Sequence, residues 1–185
     1  ETSFDKFLEL AENFFKSLNA KRIGVHLSGG LDSGIIIGLL HYLNIPFVPI
    51  GLYSDTFEFR TERTIQEKLI NWGEDGLMLS MEDYPFYSNL LNIPKHQIPC
   101  GIFKGYVGSH ALAKAFRDRG CDVVLSGQGG DSLFVEGITD LNNLSFNIGD
   151  EFENGEESDL IYKPLDIKLI SFYSNTAIID FISSA

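Results

Sequence analysis

Two glycine-rich turns constrain the fold of this chain more than any other feature. Each follows a short apolar run and reaches an aspartate. Residues 22–27 (RIGVHL) lead into Ser28-Gly29-Gly30-Leu31-Asp32-Ser33-Gly34, and residues 122–125 (DVVL) lead into Ser126-Gly127-Gln128-Gly129-Gly130-Asp131. A short, continuous apolar run bounded by a turn fits a strand buried on both faces, as in a parallel sheet. Open parallel sheets bind ligands beyond the carboxyl ends of their strands. Both turns are therefore expected on one edge of one sheet.

The rest of the chain alternates in the same way. Phe4, Phe7, Leu8, Ala11, Phe14, Phe15 and Leu18 fall on one helical face over residues 4–18. Leu31, Ile35, Ile36, Leu39, Leu40 and Leu43 return to helical spacing and end before Pro46. Residues 47–52 (FVPIGL) read as a second strand, with Pro49 an awkward member. Residues 59–72 read as a helix carrying Ile65, Leu69 and Trp72 inward, stopped by Gly73. Residues 76–80 give a third strand and residues 81–101 a proline-broken loop with a short helix. Residues 102–119 give a helix with Phe103, Tyr106, Val107 and Ala111 inward, stopped by Gly120. Residues 165–184 read as one or two further helices. Strands alternating with helices predict an α/β fold, a parallel sheet wrapped by helices.

At 185 residues and 44% apolar side chains the chain can bury a real core, and one domain over residues 1–185 is expected. Within it, residues 136–160 read as an acidic, disordered insertion, because residues 150–159 (DEFENGEESD) hold six acids and no base. The net charge of −12 argues against a nucleic-acid partner, which needs a concentrated positive field. The lack of an 18-residue apolar run argues against a membrane span. Cys100 and Cys121 make neither a disulfide framework nor a zinc cluster, and Cys121, opening a strand, reads as a small buried apolar residue. With no visible signal peptide, a cytoplasmic setting is expected.

The first turn has the chemistry of a phosphate cradle. Gly29 and Gly30 let the backbone approach an anion, Ser28 and Ser33 add hydroxyls, and the following helix aims its N-terminal N–H groups at the same place. It is not a Walker A loop, because no Gly-Lys-Ser/Thr follows. Asp32 would repel a phosphate unless a divalent cation lay between them, which argues for Mg²⁺. The second turn repeats the pattern, and Asp32 and Asp131 from neighbouring loops could hold one ion. A serine-hydrolase reading of Ser28 lacks a GxSxG elbow. His26 and His110 read as core residues.

SGGLDS resembles the PP-loop of the N-type ATP pyrophosphatases, and LSGQGGDSLF resembles the second signature of their asparagine synthetase branch. That branch also contains β-lactam synthetases and lasso-peptide cyclases. The resemblance covers about residues 1–135. It implies a three-layer, adenine nucleotide α-hydrolase-like sandwich with a five-stranded parallel sheet. It also implies ATP and Mg²⁺ as cofactors. The implied reaction has two steps, attack of a carboxylate on the α-phosphorus of ATP and then attack of an amine or ammonia on the acyl-adenylate. By this resemblance Ser28, Gly29, Gly30, Asp32 and Ser33 hold pyrophosphate, Asp32 and Asp131 hold Mg²⁺, and Leu27, Ile50, Ser126 and Gly127 contact the adenylate. Thr61-Glu62-Arg63 matches an acidic motif that opens the helix after the second strand.

The chain departs from the branch in two informative ways. Gln128 and Ser132 are neutral where asparagine synthetases usually carry Glu, and the first of these positions lies near the substrate amine. The lysine that the family uses late in the chain has only Lys163 and Lys168 as candidates, close to a faint PFLD-like stretch at Tyr162-Lys163-Pro164-Leu165-Asp166. The expected partners are a small-molecule or peptide carboxylate and an amine or ammonia donor, and a homodimer is compatible with the fold. The reading from these residues is an amide-forming ligase of the asparagine synthetase type, with Asp32, Asp131 and Gln128 at its centre. The alternatives are a peptide or metabolite cyclase and a nucleotide-binding module without catalysis.

Overall fold

The structure is a computed structural model that describes residues 2–88, 104–134, 155 and 157–184. Five strands form one sheet: β1 (Ile23–His26), β2 (Phe47–Tyr53), β3 (Leu77–Ser80), β4 (Val123–Ser126) and β5 (Lys168–Ser171). They lie in the order β3-β2-β1-β4-β5, and every neighbouring pair is parallel. The chain moves outward from β1 to β3 and then returns to place β4 on the free side of β1. The strand order therefore reverses between β1 and β4, the position where an open parallel sheet offers a ligand crevice. Both glycine turns leave the sheet there.

The helices are α1 (Ser3–Ser17), α2 (Leu31–Tyr42), α3 (Arg60–Leu69), α4 (Tyr106–Asp118), α5 (Gly130–Phe134) and α6 (Thr176–Ser184). On one face of the sheet, Phe14 and Phe15 of α1, Ile36 and Leu40 of α2 and Ile178 of α6 pack on Val25, Leu125 and Phe172. On the other face, Leu112 and Phe116 of α4 join Ile161 and Tyr162 over Val48, Ile50 and Val124. The result is the expected three-layer sandwich around a five-stranded parallel sheet. Helix α1 starts where Thr2 and Asp5 exchange bonds, with the Asp5 N–H donating to Thr2 Oγ1 at 3.1 Å and the Thr2 N–H to Asp5 Oδ2 at 2.8 Å.

All four strands read from apolar runs are present. Pro49 sits in β2 without breaking a ladder. The Phe47 carbonyl accepts from Glu74 N and the Ile50 carbonyl from Leu27 N, so strand alternation turns residue 49 toward β3, whose pairing starts only at Leu77 opposite Ile50.

Several expectations are corrected. Residues 168–171 form β5, not a helix; four residues give too little pattern to separate from helical spacing. Helix α3 buries Gln66 fully, while Ile65 and Trp72 are exposed by 36% and 44%. Helix α4 buries Leu112 and Phe116; Tyr106, Val107 and Ala111 are only half-buried. His110 is exposed and stacked on Tyr106, not in the core. Most of the expected acidic insertion, Cys100 and Phe103 lie outside the described residues. At its end, Ser158–Tyr162 form a π-helical turn that buries Ile161 and Tyr162, so residues 158–160 belong to the fold.

Candidate functional site

The site is built where β1 and β4 end. Leu27 closes β1: its N–H donates to the Ile50 carbonyl at 2.8 Å, and its own carbonyl accepts from Gln66 Nε2 at 2.9 Å. The other Gln66 bond goes to the Leu52 carbonyl at 2.8 Å. One buried amide thus ties α3 to the ends of both β1 and β2. The side chains of Leu27 and Ile50 are buried on opposite faces of the sheet.

The first turn then folds tightly. Gly29 has φ +84°, and a Cβ there would collide with the Glu62 main chain at the start of α3. Only glycine meets both demands. Ser28 and Ser33 join their hydroxyls at 2.8 Å, and the Gly30 N–H donates to Ser28 Oγ at 3.2 Å. Helix α2 begins at Leu31 with no side-chain cap bond. Its first N–H groups have no partner within their own helix, the usual preparation for an anion.

The second turn is pressed onto the first. A Cβ on Gly130 would sit 2.2 Å from the Asp32 carboxyl carbon, and one on Gly127 2.8 Å from the Ser33 nitrogen. Asp32 and Asp131 stand on the two adjoining turns, and the Asp131 N–H reaches the Asp32 carboxylate. Burial first, and then the facing Asp131 charge, hold the Asp32 carboxyl above its ordinary range; a hydrogen bond from the Asp131 N–H partly offsets this. The Asp32 carboxylate, with the Asp131 charge near enough to act on it, supplies hard oxygen donors. A divalent cation of the Mg²⁺ type would relieve their repulsion and take its remaining ligands from phosphate and water. Among the described residues no group of three or more His, Cys, Asp or Glu could hold a metal.

Two buried side-chain oxygens have no partner among the described residues here, Ser126 Oγ at the end of β4 and Oε2 of Glu62, whose main chain lies against Gly29. Ser126 is only 5% exposed. An unsatisfied buried hydroxyl in a ligand crevice is a place where a ligand can supply the missing bond.

The sequence left two contributors unread. Ser171 donates to the Gln128 carbonyl at 2.6 Å, and Tyr173 donates to the Asp32 carbonyl at 3.1 Å. Neither stands in a motif; only recognition of β5 would have aimed them at this edge. Lys168 is placed at the opposite, amino end of β5, and Lys163 lies before that strand. Lys168 opens β5, its N–H bonds to the Asp122 carbonyl before β4, and Lys163 pairs with Asp159. Glu62 does stand beside the first turn, where the weaker motif match put it.

Residues 18–154 match a family model described as asparagine synthase. The U34-tRNA thiolase NcsA from Methanococcus maripaludis, with its 4Fe-4S cluster, is similar in structure. Its TM-score is 0.50 and its identity 18%, over 97% of this chain and 64% of that one. The chain thus spans just under two thirds of that protein's length. The NMN synthetase from Francisella tularensis gives a TM-score of 0.49 and 14% identity, over 98% of this chain and 92% of that one. No curated protein matches the sequence. At these identities the likeness is one of fold, the PP-loop α/β fold implied by the two turns. The sequence holds only Cys100 and Cys121, and burial pushes the Cys121 thiol up to about 11.

Proposed function

The chain belongs to the asparagine synthase family, and we propose that it binds ATP with Mg²⁺ across its two glycine turns and adenylates a carboxylate on the way to an amide. The observation that carries this reading is the packing of the second turn on Asp32, with the Asp131 N–H bonded to its carboxylate, beside the uncapped start of α2. An anion cradle that holds two carboxylates makes chemical sense around a cation and a polyphosphate.

The residues divide the work. The N–H groups at the start of α2 and the Ser28 and Ser33 hydroxyls would hold the β- and γ-phosphates. Ser126 Oγ would donate to the nucleotide and satisfy its own missing bond. Asp32 and Asp131 would hold the Mg²⁺, which when bound neutralises charge growing on the leaving pyrophosphate. The substrate carboxylate oxygen attacks the α-phosphorus and the bond to the β-phosphate oxygen breaks. The amine then attacks the acyl carbon, AMP leaves, and the nitrogen sheds a proton. Gln128, on the second turn, would face the nitrogen donor; its neutral amide supports a substrate other than the aspartate of asparagine synthesis, such as a peptide or metabolite.

Calorimetry tests the nucleotide half. ATP should bind more tightly with Mg²⁺ than with EDTA, and Asp32→Asn should remove that difference; equal affinities in all four titrations would overturn the reading. One observation favours a second reading, a binding module without the amide-forming half: Lys168 stands at the amino end of β5, away from the two turns. Exchange of labelled pyrophosphate into ATP, run with carboxylates from aspartate to peptide C-termini, separates the two. Exchange supports the ligase, and its loss in Asp131→Ala by about a thousandfold ties it to this site.

A further inference from the structure

Strand β5 lies at the edge of the sheet, yet its carboxyl end reaches both glycine turns. Ser171 stands opposite Ser126 in register and gives its hydroxyl to the Gln128 carbonyl at 2.6 Å. Two residues on, Tyr173 gives its hydroxyl to the Asp32 carbonyl at 3.1 Å, two strands away on the turn after β1. Both residues are buried, at 8% and 2% exposure. The Tyr173 ring stands edge-on to Phe172 at 5.1 Å, and Phe172 is itself held by Phe14 and Phe15. The hydroxyl is therefore aimed by the core. Gly129, with φ +87°, shapes the second turn where it runs beside Tyr173.

Packing alone does not explain this arrangement. Phenylalanine would fill the same ring space at 173, and alanine would keep the strand at 171. What the two hydroxyls add is one bond to each turn, on the carbonyl of Asp32 itself and on that of Gln128, three residues before Asp131. We infer that Ser171 and Tyr173 are positioning residues, a two-point clamp from β5 that fixes the Asp32 turn against the Asp131 turn and so sets the spacing at which a divalent cation is held. The inference rests on the ATP·Mg²⁺ reading for what the spacing is for, but the clamp itself can be tested without ligand.

Tyr173→Phe and Ser171→Ala each remove one hydroxyl. In ligand-free protein, Tyr173→Phe should speed amide hydrogen exchange over residues 28–34, and Ser171→Ala over residues 127–131. Each change should be about tenfold, the worth of one hydrogen bond, with α4 unchanged. In calorimetry, either variant should cut the gain in ATP affinity from Mg²⁺ about tenfold, as loss of a residue supporting a metal ligand does, while affinity in EDTA stays the same. A purely structural role would lower both affinities together. Unchanged exchange, exchange raised evenly across the chain, or parallel loss of both affinities would overturn the clamp. A wild-type protein that gains nothing from Mg²⁺ would sink the ATP·Mg²⁺ reading instead, and the exchange pattern would still decide whether the hydroxyls hold the turns.

Discussion

Whether the second turn can pack on Asp32 is decided by a missing side chain. Gly130 lies so close to the Asp32 carboxylate that a methyl group would sit 2.2 Å from its carboxyl carbon, a clash that must move the carboxylate. Its φ is not in the left-handed region, so alanine would be tolerated by the backbone itself. Gly130→Ala should therefore fold, push Asp32 aside and weaken the Mg²⁺-dependent part of ATP binding by at least about tenfold. Calorimetry with and without Mg²⁺, beside a melting curve, checks this. Full Mg²⁺ dependence in a folded Gly130→Ala protein would mean that Asp32 does not need its present position. Cys121 makes the contrasting case. It is 1% exposed with its thiol pushed up to about 11, so alkylation of the native protein at pH 8 should leave it unmodified. Rapid labelling of Cys121 would contradict its burial.

At the scale of elements, α3 is held to the sheet by a polar residue. The Gln66 amide satisfies the Leu27 and Leu52 carbonyls, and both would be left buried without a partner in Gln66→Leu. Stability should fall by about 2–4 kcal/mol, read by urea denaturation, since each orphaned group costs roughly 1–3 kcal/mol. A loss below about 0.5 kcal/mol would show that water replaces the amide. This strap also marks the boundary of what the sequence discloses. Apolar runs ending in glycine disclose β1 to β4, because a strand buried on both faces leaves an uninterrupted signal. The same glycine turns disclose the site, because a close backbone approach demands glycine whatever surrounds it. Gln66, Ser171 and Tyr173 act through distant carbonyls and leave no local pattern. Lys168 misleads for the related reason that nearness in sequence to a site says nothing about which end of a strand a residue occupies.

At the scale of the molecule, the layer opposite the first helix is joined through one histidine. His26 ends β1, stacks on Phe116 of α4 and meets the hydroxyl of Tyr162 at 2.5 Å, so it links the sheet, α4 and the segment before β5. Burial lowers its pKa from the model-peptide value of 6.5 to about 4. The folded protein therefore keeps this imidazole neutral where the unfolded chain would protonate it. The unfolded state binds the extra proton between pH 6.5 and about 4, so stability from this group is complete above pH 6.5 and drains away as pH falls through that window. The full effect is on the order of 3 kcal/mol, at 1.36 kcal/mol per unit. Asp32 acts in the opposite sense: its raised pKa favours the folded state while it keeps a proton, and that contribution is lost as pH rises above the ordinary carboxylate range. Between pH 7 and 5 the histidine should dominate, because that interval covers most of its window. Urea denaturation of the wild type should show stability falling over this interval. His26→Gln should start less stable and lose less of its stability on acidification. Equal pH slopes in the two proteins would mean that His26 takes up its proton without disturbing the layer, and that the three elements are joined by apolar packing alone.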